Sequence, residues 1–244
     1  MKRTLLFCSA CLAAACGGSA DEAALDDVPA PVIGGRRDTR HGAVGQLGQI
    51  DGDDIAWVCT GTLIDPGTVL TAAHCLYDLD GSRVPARALA FWVGTRVIDV
   101  ASARTDHYDP GGEEWNDIAV LVLASSSRVR PIPIAVEPPL EGERATVVGF
   151  GVTRATGPHT GVGGGTRRSG TITLDVVDTR ELAYASDPAG ACYGDSGGPV
   201  LQRLAGEERV VGVTSRGTSE DCSGVDIATR VDAYAEWIDR MRAP

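Results

Sequence analysis

Three short motifs carry residues that together could perform acyl transfer to water. In chain order they are Thr71-Ala72-Ala73-His74-Cys75, Asn116-Asp117-Ile118-Ala119-Val120-Leu121 and Gly194-Asp195-Ser196-Gly197-Gly198-Pro199. This chemistry needs a hydroxyl nucleophile, a base that takes its proton near neutral pH, and a carboxylate that orients the base. Ser196, His74 and Asp117 supply these three residue types. The motifs therefore predict a nucleophilic catalytic site.

The glycines around Ser196 let the backbone bend sharply within the third motif. A sharp bend allows the N–H groups of Gly194 and Ser196 to converge on one point, where they would stabilise a developing oxyanion. A serine in a glycine-rich turn, or an aspartate that opens a strand, is on its own an ordinary structural feature. The catalytic interpretation therefore depends on the agreement of all three motifs.

Together the motifs resemble those of the trypsin/chymotrypsin-like (S1) serine proteases, and the resemblance covers nearly all of residues 32–242. The chain is similar to an exported, bacterial-type member. The order His, Asp, Ser matches this family and differs from that of subtilisins and α/β-hydrolases. The resemblance implies a serine endopeptidase that hydrolyses polypeptides through an acyl-enzyme, with His74, Asp117 and Ser196 as catalytic residues. A catalytically silent, lipid-anchored binding homologue is the alternative from another class.

Short β-rich runs bounded by Gly, Pro or Asp follow one another from residue 32 onwards, which predicts an all-β barrel or sandwich. The family resemblance specifies two packed antiparallel six-stranded β-barrels. Apolar residues at helical spacing between positions 231 and 242 predict a C-terminal α-helix. We expect an N-terminal barrel at about 32–124, a proline-rich connector at about 125–143, and a C-terminal barrel with the helix at about 144–244.

Residues 1–15 combine two cations, an apolar stretch and small residues, which predicts a signal peptide. Residues 16–31 are acidic and rich in alanine and proline, which predicts a pro-segment ahead of a peptidase domain at 32–244. Cys16 follows three alanines in a setting that resembles a bacterial lipoprotein cleavage site, and a lipid there would anchor the chain. Ordinary signal-peptidase cleavage would release it. The sequence leaves open a secreted protein and a cell-envelope lipoprotein of a bacterium.

Three of the seven cysteines fall in or beside the leader, and four remain in the domain: Cys59, Cys75, Cys192 and Cys222. An even number in an exported chain predicts two disulfides, and the count alone allows three connectivities. A metal site is disfavoured because no pair has the C-x₂₋₄-C spacing of zinc sites. We therefore expect no metal and no cofactor. The family resemblance implies the pairs Cys59–Cys75 and Cys192–Cys222.

The segment Val32-Ile33-Gly34-Gly35 resembles the amino terminus of mature family members. The resemblance implies that cleavage of the Pro31–Val32 bond frees an α-amino group, which pairs with the Asp195 carboxylate and sets Gly194 for oxyanion binding. The uncleaved precursor should then have little activity. Pro31 stands where a trypsin-like enzyme needs Arg or Lys, which argues for a separate activating protease.

Family spacing places Gly190 and Ala191 at the base of the primary specificity pocket, where trypsin-type members carry aspartate. This position alone favours small or apolar residues before the scissile bond. Asp226, however, falls at a pocket-wall position that is normally glycine, and its carboxylate could receive an Arg or Lys side chain. We favour cleavage after Arg or Lys through Asp226, with small or apolar specificity as the alternative.

Ser215, Arg216 and Gly217 form the substrate-binding strand that the resemblance implies. Ser215 and Gly217 would pair with the substrate backbone as an added antiparallel strand, and Ser215 would also hydrogen-bond Asp117. Arg216 stands where most members have tryptophan. It could pair with Asp226 and neutralise the pocket, which is a second alternative for this site.

The 244 residues include 33 acidic and 22 basic side chains, a formal charge of −11. Nucleic acid and anionic membranes need a cationic face, so we exclude nucleic acid and expect membrane contact only through a lipid on Cys16. The expected partners of this monomer are polypeptide substrates, an activating protease and protein inhibitors. Outside the motifs, we expect His41 and His159 at the surface.

Overall fold

The structure is a computed structural model that describes residues 32–78, 80–109 and 116–242. The predicted signal peptide, Cys16 and the pro-segment lie outside the described residues. The first strands are β1 (Arg36–Arg37), β2 (Val44–Asp51), β3 (Asp54–Asp65), β4 (Thr68–Thr71), β5 (Leu89–Val93), β6 (Arg96–Thr105) and β7 (Ala119–Leu123). The later elements are β8 (Arg144–Gly149), β9 (Arg154–Gly157), β10 (Thr160–Val162), β11 (Arg168–Thr173), β12 (Val176–Val177), β13 (Glu181–Ala185), β14 (Pro199–Leu204), β15 (Glu207–Gly217), β16 (Val225–Arg230) and helix α1 (Ala235–Met241).

Six strands close into a barrel in the order β2-β3-β4-β7-β6-β5. Gly45 and Gly61 lie directly opposite each other on β2 and β3. A Cβ atom at Gly45 would lie 2.6 Å from the Phe91 ring, and one at Gly61 would lie 3.1 Å from it. The two glycines therefore leave the space that the fully buried Phe91 fills at the centre of the barrel. The predicted all-β fold with a closed six-stranded barrel is confirmed.

The second half of the chain builds an eight-stranded antiparallel sheet in the order β1-β11-β8-β14-β15-β16-β13-β12. A second closed six-stranded barrel was expected here, and the structure differs at the two edges. The two-residue strands β1 and β12 pair with β11 and β13, the strands that would have to join to close six strands into a ring. Residues 32–37 were predicted in the N-terminal barrel, but they lie on this second sheet, where Val32 joins its core.

The segment 125–143 crosses from the barrel to the second sheet, and Ile134 makes one bridge to Val210 on the way. Helix α1 follows a 3₁₀ turn, and Tyr234 and Ile238 place their side chains in the core of the first barrel. The described part of the chain thus starts on the second sheet and finishes against the first barrel. None of the helices in the described ranges has the length and apolar character needed to cross a membrane.

His41 is buried, with 5% of its surface exposed, although it was predicted at the surface. Its Nδ1 lies 2.6 Å from Oδ2 of Asp38, and its Nε2 lies 3.0 Å from Oε2 of Glu208. Burial opposes protonation, but the two carboxylates outweigh it and raise the pKa of His41. A carboxylate at each nitrogen favours the protonated ring, which can donate a hydrogen bond from both nitrogens. Because Glu208 lies on β15, these ion pairs connect the segment that follows β1 to the second sheet.

Candidate active site

The pairing of β4 with β7 brings His74 and Asp117 together. Thr71 at the end of β4 lies opposite Ala119 at the start of β7, so the residues just beyond these strand ends meet at one edge of the barrel. His74 opens a 3₁₀ turn there, and its Nδ1 lies 2.8 Å from Oδ2 of Asp117. The His74 backbone N–H also donates to Asp117 Oδ1 over 2.9 Å. The carboxylate thus fixes both the ring and the backbone of the histidine.

Asp117 is 2% exposed and is held from the second sheet as well. The Ser215 hydroxyl donates to its Oδ2 over 2.6 Å, and the Thr229 hydroxyl donates to its backbone carbonyl over 2.9 Å. Burial alone would raise the pKa of the Asp117 carboxyl, but the charge and hydrogen bond of His74, together with the bond from Ser215, lower it. The carboxylate is therefore ionised at neutral pH and oriented towards His74.

Ser196 lies in the turn between Gly194 and Pro199 that precedes β14 and lines the same cleft as His74. The turn needs glycine at two positions, because Gly194 and Gly197 have φ angles of 94° and 80°. A Cβ atom at Gly197 would lie 2.1 Å from the Thr71 hydroxyl oxygen, just ahead of His74. This close approach therefore places the turn that contains Ser196 (the serine turn, residues 194–199) against the segment that leads from Thr71 to His74 (the histidine segment).

Asp195 points away from the cleft and is 2% exposed. Its carboxylate accepts N–H bonds from Gly151 over 2.8 Å and from Cys192 over 3.0 Å. Burial raises its pKa to about 7 against the lowering effect of these bonds, and the charge of Asp226 raises it further. The described residues place no cation on this carboxylate. Asp195 is therefore a buried acid without a counter-ion among the described residues.

Asp226 lines the cleft together with Ala191. Its Oδ2 accepts bonds from the Ser186 hydroxyl over 2.8 Å and from the Ala191 N–H over 2.7 Å. Burial raises the pKa of Asp226 to about 6, although both hydrogen bonds act in the opposite direction. Gly190 instead forms an isolated bridge with Ile33 behind the cleft. Of the residues predicted to form the specificity pocket, the acidic one is thus on strand β16.

Arg216 turns towards Glu181, and Asp226 was the alternative partner predicted for it. Its Nη1 lies 2.8 Å from Glu181 Oε1. The register explains this, because Arg216 lies opposite Ile227 whereas Gly217 lies opposite Asp226. Residues directly opposite share a face and neighbours along a strand alternate. Arg216 and Asp226 consequently point to opposite faces of the sheet, and the neutralising pair does not form.

Two disulfides flank the site. Cys59 is joined to Cys75, which follows His74, and Cys192 is joined to Cys222 beside the cleft. The only cluster in the described ranges with metal-ligand side chains is Cys59, His74 and Cys75. Its two sulfurs are bonded to each other, so they are not available as thiolate ligands.

A sequence model described as Trypsin matches residues 32–238. The chain belongs to the trypsin family. Trypsin epsilon of Drosophila erecta is 31% identical over 210 residues, which cover 75% of this chain and 77% of that protein. Trypsin alpha-4 of Lucilia cuprina is 27% identical over 241 residues, with 89% and 88% covered. As a member of this family the protein is a serine endopeptidase, and the two disulfides fit an exported protein.

A solved structure of human heparin binding protein is similar to this trypsin-family chain, with a TM-score of 0.71 over 87% of this chain and all of that one. The two sequences are 22% identical. At this identity the likeness concerns the fold alone. It agrees with the barrel, second sheet and C-terminal helix described above.

Two cleft residues of this trypsin-family chain were missed by the sequence analysis. The Tyr193 hydroxyl donates to the Glu220 carbonyl over 3.0 Å, beside the Cys192–Cys222 disulfide. His159 is exposed, as predicted, but it also lines the cleft, with its ring 5.2 Å from that of Tyr193. Tyr193 could have been noticed because it directly precedes the third motif. His159 has no such signal, since it reaches the cleft only through the β9–β10 hairpin.

Proposed function

We propose that this protein hydrolyses peptide bonds after Arg or Lys through an acyl-enzyme. The contact of His74 with a buried, ionised Asp117 in the cleft that Ser196 lines carries the proposal. In the proposed reaction His74 Nε2 takes the Ser196 proton, and Ser196 Oγ attacks the scissile carbonyl. The N–H groups of Gly194 and Ser196 stabilise the oxyanion. His74 then protonates the leaving amine, and water releases the acid by the reverse proton route.

The cleft has a volume of about 810 Å³ and extends along Ser215, Arg216 and Gly217 to Asp226. In the proposal, Ser215 and Gly217 pair with the substrate backbone on the acyl side of the bond. A basic side chain then reaches the Asp226 carboxylate, with which it forms a charge-assisted hydrogen bond. The engagement of Arg216 by Glu181 supports this assignment because it leaves Asp226 to the substrate.

Stoichiometric labelling with a serine-directed phosphonate tests the peptidase reaction. We expect one label per mature chain on Ser196 and none on the Ser196→Ala variant, because only an activated hydroxyl attacks phosphorus at a useful rate. Intact-mass measurement gives the stoichiometry, and fragmentation locates the label. A mature chain that stays unlabelled would favour the catalytically silent binding homologue.

Asp226→Asn should lower kcat/KM for arginyl substrates by about 10²-fold, because the substrate cation then enters a buried site without its counter-charge. Substrates with alanine or phenylalanine before the bond should change little. In the wild type the arginyl preference should weaken as the pH falls below about 6, where Asp226 becomes protonated. A peptide panel that varies this one residue measures all three effects.

Asp53→Asn is the matched control, since it removes the same charge from an exposed hairpin tip. It should leave the panel unchanged. Equal rates on arginyl, alanyl and phenylalanyl substrates with the wild type would contradict the role of Asp226 and favour small or apolar specificity.

We further propose an exported monomer that a separate protease activates at the Pro31–Val32 bond and that protein inhibitors regulate. Val32 and Asp195 would form the activating pair. The lipid on Cys16 and the bacterial origin stay predictions, because Cys16 lies outside the described residues and the two relatives named above are insect proteins.

A further inference from the structure

Thr60 lies in the first barrel but directs its hydrogen bonds to the serine turn of the second half. It follows Cys59 on β3 and is completely buried. Its hydroxyl donates to the Gly194 carbonyl over 2.7 Å, and its backbone N–H donates to the Ser196 carbonyl over 2.8 Å. One residue thus holds the carbonyl groups of both residues whose N–H groups form the proposed oxyanion hole.

The remaining polar groups of Thr60 are also used. Its hydroxyl accepts the Phe150 N–H over 3.2 Å, and its carbonyl accepts the Thr71 hydroxyl over 2.8 Å. Thr71 ends β4, three residues before His74. Thr60 therefore connects the serine turn to the histidine segment and to the strand end beside Asp195. A residue with every donor and acceptor satisfied in a buried site has one defined orientation.

This orientation matters because Gly194 has little conformational preference of its own. Its φ of 94° belongs to a region that glycine enters freely, so its neighbours determine where its N–H points. Oxyanion stabilisation depends on donors that are aimed before the charge develops. A hydroxyl bonded to the Gly194 carbonyl limits rotation of that residue from its C-terminal side, and the Ser196 bond limits the turn two residues later.

We propose that Thr60 is a positioning residue that holds the oxyanion-binding turn in its working conformation through its side-chain hydroxyl. The inference rests on the proposed function for its catalytic consequence, but the ordering of the turn is a property that can be measured without activity. Thr60 acts from the first barrel. Its effect is therefore separate from the pairing of Val32 with Asp195, which acts from the second sheet.

The strand supplies a matched control two residues further along. Thr62 is also on β3 and is 1% exposed, but its buried hydroxyl has no hydrogen-bond partner among the described residues. Thr→Val removes a hydroxyl at either position and conserves shape. At Thr60 it leaves the Gly194 carbonyl and the Phe150 N–H without their partner, whereas at Thr62 it removes a group that was already unsatisfied.

The first measurement is peptide hydrolysis by the mature enzyme with each variant. Thr60→Val should lower kcat by about tenfold with KM nearly unchanged, a smaller loss than the ~10²–10³ that follows removal of an oxyanion donor itself. Thr60→Ser restores the hydroxyl and should recover most of the rate. Thr62→Val should match the wild type. A purely structural role would instead lower the amount of folded enzyme and leave kcat per labelled active site unchanged.

The second measurement is amide hydrogen exchange over residues 192–198 in a Ser196→Ala background, which needs no activity. Thr60→Val should accelerate exchange in this turn relative to Thr62→Val at equal global stability. Equal exchange in the two variants would overturn the inference, whatever the kinetics. Faster exchange in Thr60→Val, with a wild type that neither hydrolyses peptides nor takes a phosphonate, would support the positioning role and overturn the proposed function.

Discussion

Replacing Asp117 by asparagine is expected to lower kcat by about 10⁴-fold while the fold stays intact, a loss typical of this change in a Ser-His-Asp triad. The two carboxylate oxygens of Asp117 accept three bonds, from the His74 backbone N–H, from His74 Nδ1 and from the Ser215 hydroxyl. Asparagine has a single acceptor oxygen. If that oxygen keeps the backbone N–H, the amide group faces Nδ1, which must then accept a hydrogen bond.

A ring that accepts at Nδ1 carries its proton on Nε2, the nitrogen that has to take the Ser196 proton. The histidine is then in the wrong tautomer for a general base. The opposite amide orientation places an NH₂ group against the His74 backbone N–H, where two donors face each other. Both orientations are unproductive, so the loss should appear in kcat for every substrate, and phosphonate labelling should slow in parallel.

Asp106→Asn is the control for this prediction. Asp106 Oδ1 lies 2.9 Å from Nδ1 of His107, so the same isosteric change alters a second Asp–His contact. The His107 side chain is 92% exposed, however, and can exchange its partner for water. This variant should keep full activity. An Asp117→Asn enzyme within tenfold of the wild type, with an unchanged circular-dichroism spectrum, would contradict the proposed triad.

The triad motifs could be found in the sequence because each lies next to a strand end, where antiparallel pairing collects residues from distant parts of the chain. His74 and Asp117 meet through the β4–β7 register, and Asp226 reaches the pocket through the β15–β16 register. The orientation of Arg216 depended on the bulge between Thr214 and Arg216, which sets the face of every later side chain on β15. No pattern of residues around Arg216 in the sequence predicts such a bulge.

Side-chain contacts between residues far apart in the sequence could not be predicted either. His41 is separated from Glu208 by 167 residues, and Thr60 is separated from Gly194 by 134. Single histidines and threonines in β-rich sequence are ordinary, and only the packing of the two halves shows which ones are buried with partners. The edge strands of the second sheet could not be predicted for a similar reason. Two-residue strands such as β1 and β12 are too short to produce an alternating pattern in the sequence.

Cleavage of the bond between Pro31 and Val32 is expected to raise activity by about 10²–10³-fold, because the α-amino group proposed to pair with Asp195 and hold the oxyanion-binding turn exists only after cleavage. Val32 is already buried in the core of the second sheet, and Ile33 bridges Gly190 on the segment that leads to Asp195. The new amino group would therefore form beside the segment that leads to its proposed partner. Val32 also has a φ of 51°, a strained conformation for a β-branched residue. Cleavage removes that constraint.

The pH dependence of the stability of the uncleaved protein should follow the ionisation of the Asp195 carboxyl. The pKa of Asp195 in the folded, uncleaved chain is raised from 3.8 to about 7. A carboxyl with a raised folded pKa favours the folded state below its unfolded pKa, and this contribution is lost as the pH rises through the folded pKa. The uncleaved protein should thus lose stability between about pH 4 and pH 7. In the cleaved protein the ammonium group of Val32 would compensate the Asp195 charge.

The comparison uses two Ser196→Ala proteins, one that begins at Val32 and one with the Pro31–Val32 bond intact. Their melting temperatures should separate progressively from pH 4 to pH 7, with the cleaved form higher. Asp195→Asn removes the charge from both proteins and should remove the separation.

With Ser196 restored, the form that begins at Val32 should hydrolyse peptides, and full activity with the bond intact would refute activation by cleavage. Because Thr60 holds the turn independently of Val32, the intact form should retain a low activity that Thr60→Val lowers further.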